Sequence, residues 1–172
     1  TDVVIVSSLH FGRNKLDSVD NFYIHLNDKS PHDSSFNQLW TDTELLNTKN
    51  KTIMFMLGGA GGAYTIFFQN FEVCYKLLID LIKSKPFIKG IDLDIEEFVN
   101  IEDVKKLINR LVVDMGVDFV ITMAPVGSSL QRDIVGMGGF KYKDLYLSNE
   151  GKYIHWFNVQ CYNGTFNYNV YN

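Results

Sequence analysis

The residues with the strongest chemical potential are three carboxylates, Asp92, Asp94 and Glu96, which alternate with aliphatic side chains within residues 89–98. An extended strand sends alternate side chains to opposite faces, so this pattern predicts that the three carboxylates share one face. The bulky aliphatics predict that the other face is buried under helices, so that the acids point into the protein. Like charges and poor solvation should then raise the pKa of at least one carboxyl group. A carboxylic acid that keeps its proton near neutral pH can act as a general acid.

Two other interpretations fit the same residues. The first is an acidic edge strand in contact with solvent, which the intervening aliphatics disfavour. The second is a site for Mg²⁺ or Ca²⁺, since Asp-x-Asp spacing also suits oxygen coordination. An EF-hand loop would need a glycine at its sixth position and more oxygen donors, and this stretch has neither.

Residues 90–96 read Gly-Ile-Asp-Leu-Asp-Ile-Glu. This resembles the Asp-Gly-x-Asp-x-Asp-x-Glu signature of glycoside hydrolase family 18, the chitinases and related endo-β-N-acetylglucosaminidases, except that Lys89 stands where the family has the leading Asp. Three further stretches are similar to family motifs and occur in the same order along the chain. They are Met56-Leu57-Gly58-Gly59, which has Met in place of the Ser of Ser-x-Gly-Gly, Ile121-Thr122-Met123-Ala124-Pro125, and Gln160-Cys161-Tyr162-Asn163.

The elements that must position these motifs alternate between strands and helices. Apolar runs predict buried strands, and apolar residues at helical spacing predict amphipathic helices. The predicted strands cover residues 3–11, 51–57, 89–98, 119–125 and 154–163, with a hairpin arm over 22–27; the predicted helices run up to residue 46 and cover 66–83, 101–115 and 142–147. This alternation predicts an α/β fold with a parallel sheet and right-handed crossovers.

The resemblance implies a particular version of that fold, the TIM-type (β/α)8 barrel, whose active site lies at the carboxyl ends of its strands. A complete barrel takes roughly 250 residues, whereas this chain has 172. The motifs match about strands two to six of the family barrel. Residues 1–172 are therefore interpreted as a single family 18 catalytic domain, incomplete at both ends. Open sheet edges of this kind predict self-association.

The resemblance also implies a reaction, which is retaining, substrate-assisted hydrolysis of β-1,4-linked N-acetylglucosamine polymers such as chitin. The substrate's own acetamido carbonyl would attack the anomeric carbon, with Glu96 as proton donor and Asp94 orienting the acetamido group. Asp92 would share a proton with Asp94, and Tyr162 would hydrogen-bond the acetamido group from the opposite side. Further sugar contacts are expected from Gly58, Gly59, Met123, Gln160 and Asn163, and neither a metal nor a cofactor is expected.

A competing hypothesis is a catalytically weak or inactive, lectin-like module that binds chitin or N-acetylglucosamine. Retention of Glu96 favours the enzyme, while the incomplete barrel favours weak activity. A metal-dependent transferase on the Asp-x-Asp pair is a third hypothesis, and it predicts loss of function with a chelator.

The formal net charge of −4 and the lack of a basic stripe argue against nucleic acid as a partner. No apolar stretch is long enough to predict a membrane span. The resemblance implies that the partner is an N-acetylglucosamine-containing glycan. The two cysteines cannot build a disulfide framework, and Cys161 is predicted to be a packed thiol. The compartment is undecided from composition, although the resemblance favours a secreted or extracellular protein.

Overall fold

The structure is a computed structural model that describes residues 2–16 and 19–162. The chain forms two compact units, residues 1–92 and residues 93–172.

The first unit is organised around strands β1 (Val3–Leu16), β2 (Val19–Leu26), β3 (Thr52–Gly58) and most of β4 (Ile88–Asp94), in the order β2-β1-β3-β4. β1 and β2 form an antiparallel hairpin, in which His10 pairs with His25. β1 also pairs in parallel with β3, with a register shift between Val6 and Leu9 that includes a cis peptide bond between Ser7 and Ser8. The predicted hairpin arm and parallel pairing are confirmed.

The helices of the first unit are α1 (Asn37–Thr48), α2 (Tyr64–Gln69) and α3 (Phe71–Lys83), with a 3-10 turn at Ser34–Phe36. The single helix predicted over 66–83 is instead two helices that meet at Asn70. The backbone of Asn70 leaves the helical region (φ −132°, ψ 45°), and its side-chain amide donates to the Ile66 carbonyl at 3.1 Å. Asparagine side chains compete with helical backbone hydrogen bonds in this way, which accounts for the break.

The second unit holds the end of β4, followed by β5 (Val120–Met123) and β6 (Ile154–Phe157), in the order β4-β5-β6. β5 and β6 are parallel, as predicted. Its helices are α4 (Ile101–Met115), α5 (Gly127–Gln131) and α6 (Tyr142–Tyr146), with a 3-10 turn at Gly151–Tyr153. Since β6 is last in the strand order, one of its edges is unpaired within the described residues; self-association through such an edge stays a prediction.

Helix α4, predicted over residues 101–115, is capped at both ends. The side chain of Asn100 accepts a hydrogen bond from the Glu102 N–H at 3.0 Å and so caps the amino end. Gly116 ends the helix with a positive φ of 89°, a conformation that favours glycine. The apolar face of the helix is buried through Val104, Leu107, Ile108 and Leu111.

Two predicted strands are too long. β4 ends at Asp94, so Glu96 lies beyond the strand rather than in it. β6 ends at Phe157, and the chain returns to strand-like pairing only at an isolated parallel bridge between Val126 and Gln160. In both segments the alternation of residue types continues past the last regular hydrogen bond of the strand. The alternation therefore does not mark where β4 and β6 end.

Over the part of the chain that the structure describes, no helix is both long and apolar enough to span a bilayer.

Candidate active site

Strand β4 carries the first two carboxylates of the motif. Asp92, in the first unit, is 2% exposed, and Asp94, at the start of the second, is 7% exposed. Their aliphatic neighbours Ile91 and Leu93 are fully buried, so both faces of the strand are buried. Glu96 lies two residues after the strand and is partly exposed. Solvent therefore reaches Glu96 more readily than either aspartate.

Gln160 approaches the carboxylates from the segment after β6. Its main chain is held at both ends of the isolated bridge: its N–H donates to the Pro125 carbonyl at 2.9 Å, and its carbonyl accepts from Gly127 at 3.0 Å. The residue as a whole is only 8% exposed. The bridge thus fixes the backbone from which the Gln160 side chain extends.

The side-chain amide of Gln160 brings two of the carboxylates together. Its Nε2 donates to Asp94 Oδ1 at 3.0 Å and to Glu96 Oε1 at 3.2 Å. The same nitrogen lies 3.0 Å from the carbonyl oxygen of Ala124. Although the Ile-Thr-Met-Ala-Pro stretch was singled out in the sequence, the part played by the Ala124 carbonyl was missed, because a backbone acceptor leaves no trace in residue type.

Tyr162 joins this group through its hydroxyl, which donates to Gln160 Oε1 at 2.9 Å. The tyrosine is 59% exposed. Desolvation raises the pKa of the Tyr162 phenol above its ordinary value, and the negative charges of Asp94 and Glu96 raise it further. The phenol therefore keeps its proton well above neutral pH and remains a hydrogen-bond donor.

A second hydrogen-bonded chain lies in the second unit, and its members are not among the site residues predicted from the sequence. The Trp156 indole N–H donates to Asn158 Oδ1 at 3.0 Å, and Asn158 Nδ2 donates to Thr122 Oγ1 at 3.3 Å. Trp156 is 37% exposed, whereas Met123, a predicted sugar contact, is fully buried. A contact between Met123 and a ligand would require neighbouring groups to move.

Gly58 and Gly59 lie in the first unit, at the end of β3 and just after it. Both are buried, with φ values of 97° and 81°. Gly61 and Gly62 follow with φ values of 109° and 78°, so the whole glycine cluster adopts a conformation that other residues rarely take. This is the physical reason for the glycines, whether or not the loop contacts a ligand.

His10 supports the same loop. Its Nδ1 lies 3.2 Å from the Gly62 carbonyl, and its Nε2 lies 2.6 Å from Ser8 Oγ. His10 lies in the middle of β1, and these contacts give it a structural role. A cavity of about 300 Å³ beside the loop is lined by residues that include Tyr23, His25 and Gly61.

Three further points concern Asn163, Cys161 and metal binding. Asn163 lies outside the described residues, so its expected sugar contact stays a prediction. Cys161 is exposed, so its prediction as a packed thiol is wrong: after β6 the described chain has only an isolated bridge, and among the described residues this side chain is not buried by a neighbouring element. Within residues 2–16 and 19–162, no group of three or more His, Cys, Asp or Glu side chains could hold a metal ion.

Comparison with known proteins gives a result only at the level of structure, since neither a family model nor a curated protein matches the chain. A fungal endo-β-N-acetylglucosaminidase from glycosyl hydrolase family 18 is similar over 95% of this chain and 56% of its own, with 34% identity and a TM-score of 0.84. The chitinase ChiC from Aspergillus fumigatus is similar over 94% of this chain and 56% of its own, with 34% identity and a TM-score of 0.83. The chain thus spans little more than half the length of these relatives.

A family 18 chitinase from Pseudoalteromonas aurantia has the same fold at 17% identity, with a TM-score of 0.71 over 94% of this chain and 60% of its own. The structural neighbours are therefore family 18 chitinases and endo-β-N-acetylglucosaminidases. Together with the six-stranded α/β sheet, they confirm the predicted fold class, an incomplete (β/α)8 barrel.

Proposed function

We propose that the chain belongs to glycoside hydrolase family 18 and takes part in retaining, substrate-assisted hydrolysis of β-1,4-linked N-acetylglucosamine polymers such as chitin. The observation that carries the proposal is the cluster in the second unit, where Asp94 and Glu96 accept from one amide nitrogen and Tyr162 donates to the oxygen of the same amide. An acid, a second carboxylate and a phenol in one hydrogen-bonded group are the parts that this reaction needs.

In the proposed mechanism, the reaction begins without an attacking enzyme carboxylate. The acetamido carbonyl of the sugar at the cleaved bond attacks its own anomeric carbon, and because it is part of the same molecule the entropic cost is low. Glu96 donates a proton to the departing glycosidic oxygen and afterwards removes one from the incoming water. The partial exposure of Glu96 supports this role, since the group must reach both substrate and water.

Asp94 is proposed to orient the acetamido N–H and to stabilise the cyclic oxazolinium ion by its charge. Asp92 tunes that charge by sharing a proton with Asp94. The burial of Asp92 favours this indirect role, because the side chain has little contact with water. Tyr162 hydrogen-bonds the acetamido group, and its raised pKa supports a protonated phenol at working pH. The further sugar contacts proposed are Gly58, Gly59, Met123 and Asn163.

The test is to incubate the protein with N-acetylglucosamine oligomers, separate the products and determine their anomeric form at early times. The proposal expects shorter oligomers with β-configured reducing ends, because two successive inversions retain configuration. Products with inverted configuration, or no products at all, would contradict it.

The second candidate is a binding module that holds such glycans without cleaving them. The observation that favours it is that two aromatic side chains of the second unit, Trp156 and Tyr162, are 37% and 59% exposed, which suits packing against sugar rings. Binding of chitotriose by calorimetry, without release of a fluorophore from a chitobiose glycoside, would support the binding module over the enzyme.

A further inference from the structure

The orientation of the Gln160 amide follows from its surroundings. A backbone carbonyl can only accept hydrogen bonds, so the side-chain atom 3.0 Å from the Ala124 oxygen must be the nitrogen. The amide oxygen then faces Tyr162, and because that oxygen can only accept, the phenol must be the donor. Both ends of the amide are thereby assigned without reference to any ligand.

The nitrogen end of this amide links two carboxylates. It carries two N–H groups and lies within 3.2 Å of Asp94 Oδ1, Glu96 Oε1 and the Ala124 carbonyl, so one N–H is shared. Two carboxylates that approach a common point repel one another when both are ionised. A neutral donor between them offsets that repulsion and holds both groups at fixed directions.

The oxygen end fixes the phenol of Tyr162, so one side chain connects all three groups. Gln160 itself has little freedom, since it is 8% exposed and its main chain is bonded on both sides of the bridge at 2.9 and 3.0 Å. A side chain whose backbone and both polar ends are held is suited to keep other groups in place. It is poorly suited to adapt to a sugar.

We propose that Gln160 is a positioning residue, whose single amide sets the relative geometry of Asp94 and Glu96 and directs the hydroxyl of Tyr162. This rests on the proposed function for its catalytic consequence, and it differs from the direct sugar contact that the resemblance implies. Loss of a sugar contact weakens binding, whereas loss of positioning lowers turnover.

The kinetic arm of the test replaces Gln160 with Met, which has a similar length and no hydrogen-bond donor. The matched control is Gln69→Met, an exposed glutamine at the end of α2 in the first unit. For chitooligosaccharide hydrolysis, the proposal expects kcat of Gln160→Met to fall at least tenfold while KM changes less than about threefold. A rise in KM with wild-type kcat would overturn it.

The second arm uses the wild-type fold and needs no activity. In ¹⁵N-labelled protein, the Gln160 side-chain NH₂ signal, assigned by its loss in Gln160→Met, should exchange slowly with water and move in both Asp94→Asn and Glu96→Gln. An NH₂ signal that exchanges freely and responds to neither change would overturn the positioning role. If wild-type protein cleaves no glycan, the proposed function fails while this arm still decides the positioning role.

Discussion

In the first unit, the loop after β3 is shaped by main-chain conformation, whereas in the second unit the carboxylates of Asp94, at the end of β4, and Glu96, just after it, are held by side-chain hydrogen bonds. The loop needs glycine because four of its residues have positive φ values. The carboxylates need an amide, supplied by Gln160 from 66 positions away along the chain. A loop that requires positive φ values can therefore be recognised from its glycines. A cluster held by side-chain hydrogen bonds depends on which distant segments of the chain meet.

The largest expected effect that tests this comparison comes from Glu96→Gln. If the second unit carries the acid–base chemistry, hydrolysis of a fluorogenic chitobiose glycoside should fall by about 10²–10⁴-fold, because the amide cannot donate the same proton. Binding of chitotriose, measured by calorimetry, should persist. Glu97→Gln, at the adjacent carboxylate, is the control and should keep most of the activity. Equal losses in the two variants would sink the assignment of Glu96.

The two units also differ in the exposure of their cysteine thiols. Cys74 in α3 is buried, and burial raises the pKa of its thiol to about 11, while Cys161 beside the cluster is exposed. Since the thiolate is the reactive form, an aromatic disulfide reagent should label Cys161 rapidly and Cys74 at least ~100-fold more slowly in the folded protein. Cys161→Ser should remove the fast phase of reagent absorbance. Two equal phases would contradict the burial of Cys74.

A smaller effect is expected from Gly59→Ala in the loop of the first unit. Because φ is 81° there, a Cβ should lower the free energy of unfolding by about 1–2 kcal/mol, measured by urea denaturation. Gly116→Ala is a matched comparison, since φ is 89° and nothing lies within 4 Å of the added Cβ. If the two variants lose the same free energy of unfolding, the loss at Gly59 is due to backbone conformation alone. If neither variant is less stable than the wild type, a positive φ is not required at these two positions.

The smallest expected effect is a change in the pKa of the Tyr162 phenol when a neighbouring carboxylate is removed. Desolvation and then the charges of Asp94 and Glu96 raise the pKa of this phenol, so Asp94→Asn and Glu96→Gln should each lower it toward the ordinary value. Tyrosine labelled with ¹³C at Cζ and titrated by NMR gives the measurement. Tyr162 should lose its proton at lower pH in each variant, while Glu102→Gln on α4 should leave it unchanged. An unchanged pKa of Tyr162 in both variants would contradict an electrostatic effect of these carboxylates on the phenol.

Much of the fold could be predicted from local patterns. Apolar runs indicated β1, β3 and β5, and apolar residues at helical spacing predicted α4 over the range that it has, 101–115. The ends of β4 and β6 could not be predicted, because a strand ends where its neighbour stops offering hydrogen bonds. The break at Asn70 was also missed, since its side chain competes with a helix that the apolar pattern continues through.

By itself, the sequence determined which groups this protein has for chemistry and their order: two aspartates and a glutamate at alternate positions, a glycine cluster after a strand, and a Gln-x-Tyr pair near the last strand. Only the tertiary structure decided that Gln160 is shared by Asp94, Glu96 and Tyr162, and that Cys161 is exposed beside them. The reason is that alternation and helical spacing fix side-chain direction over a few residues, whereas a hydrogen bond between segments depends on where the chain returns. Residue types can be read in order, but their partners are set by packing.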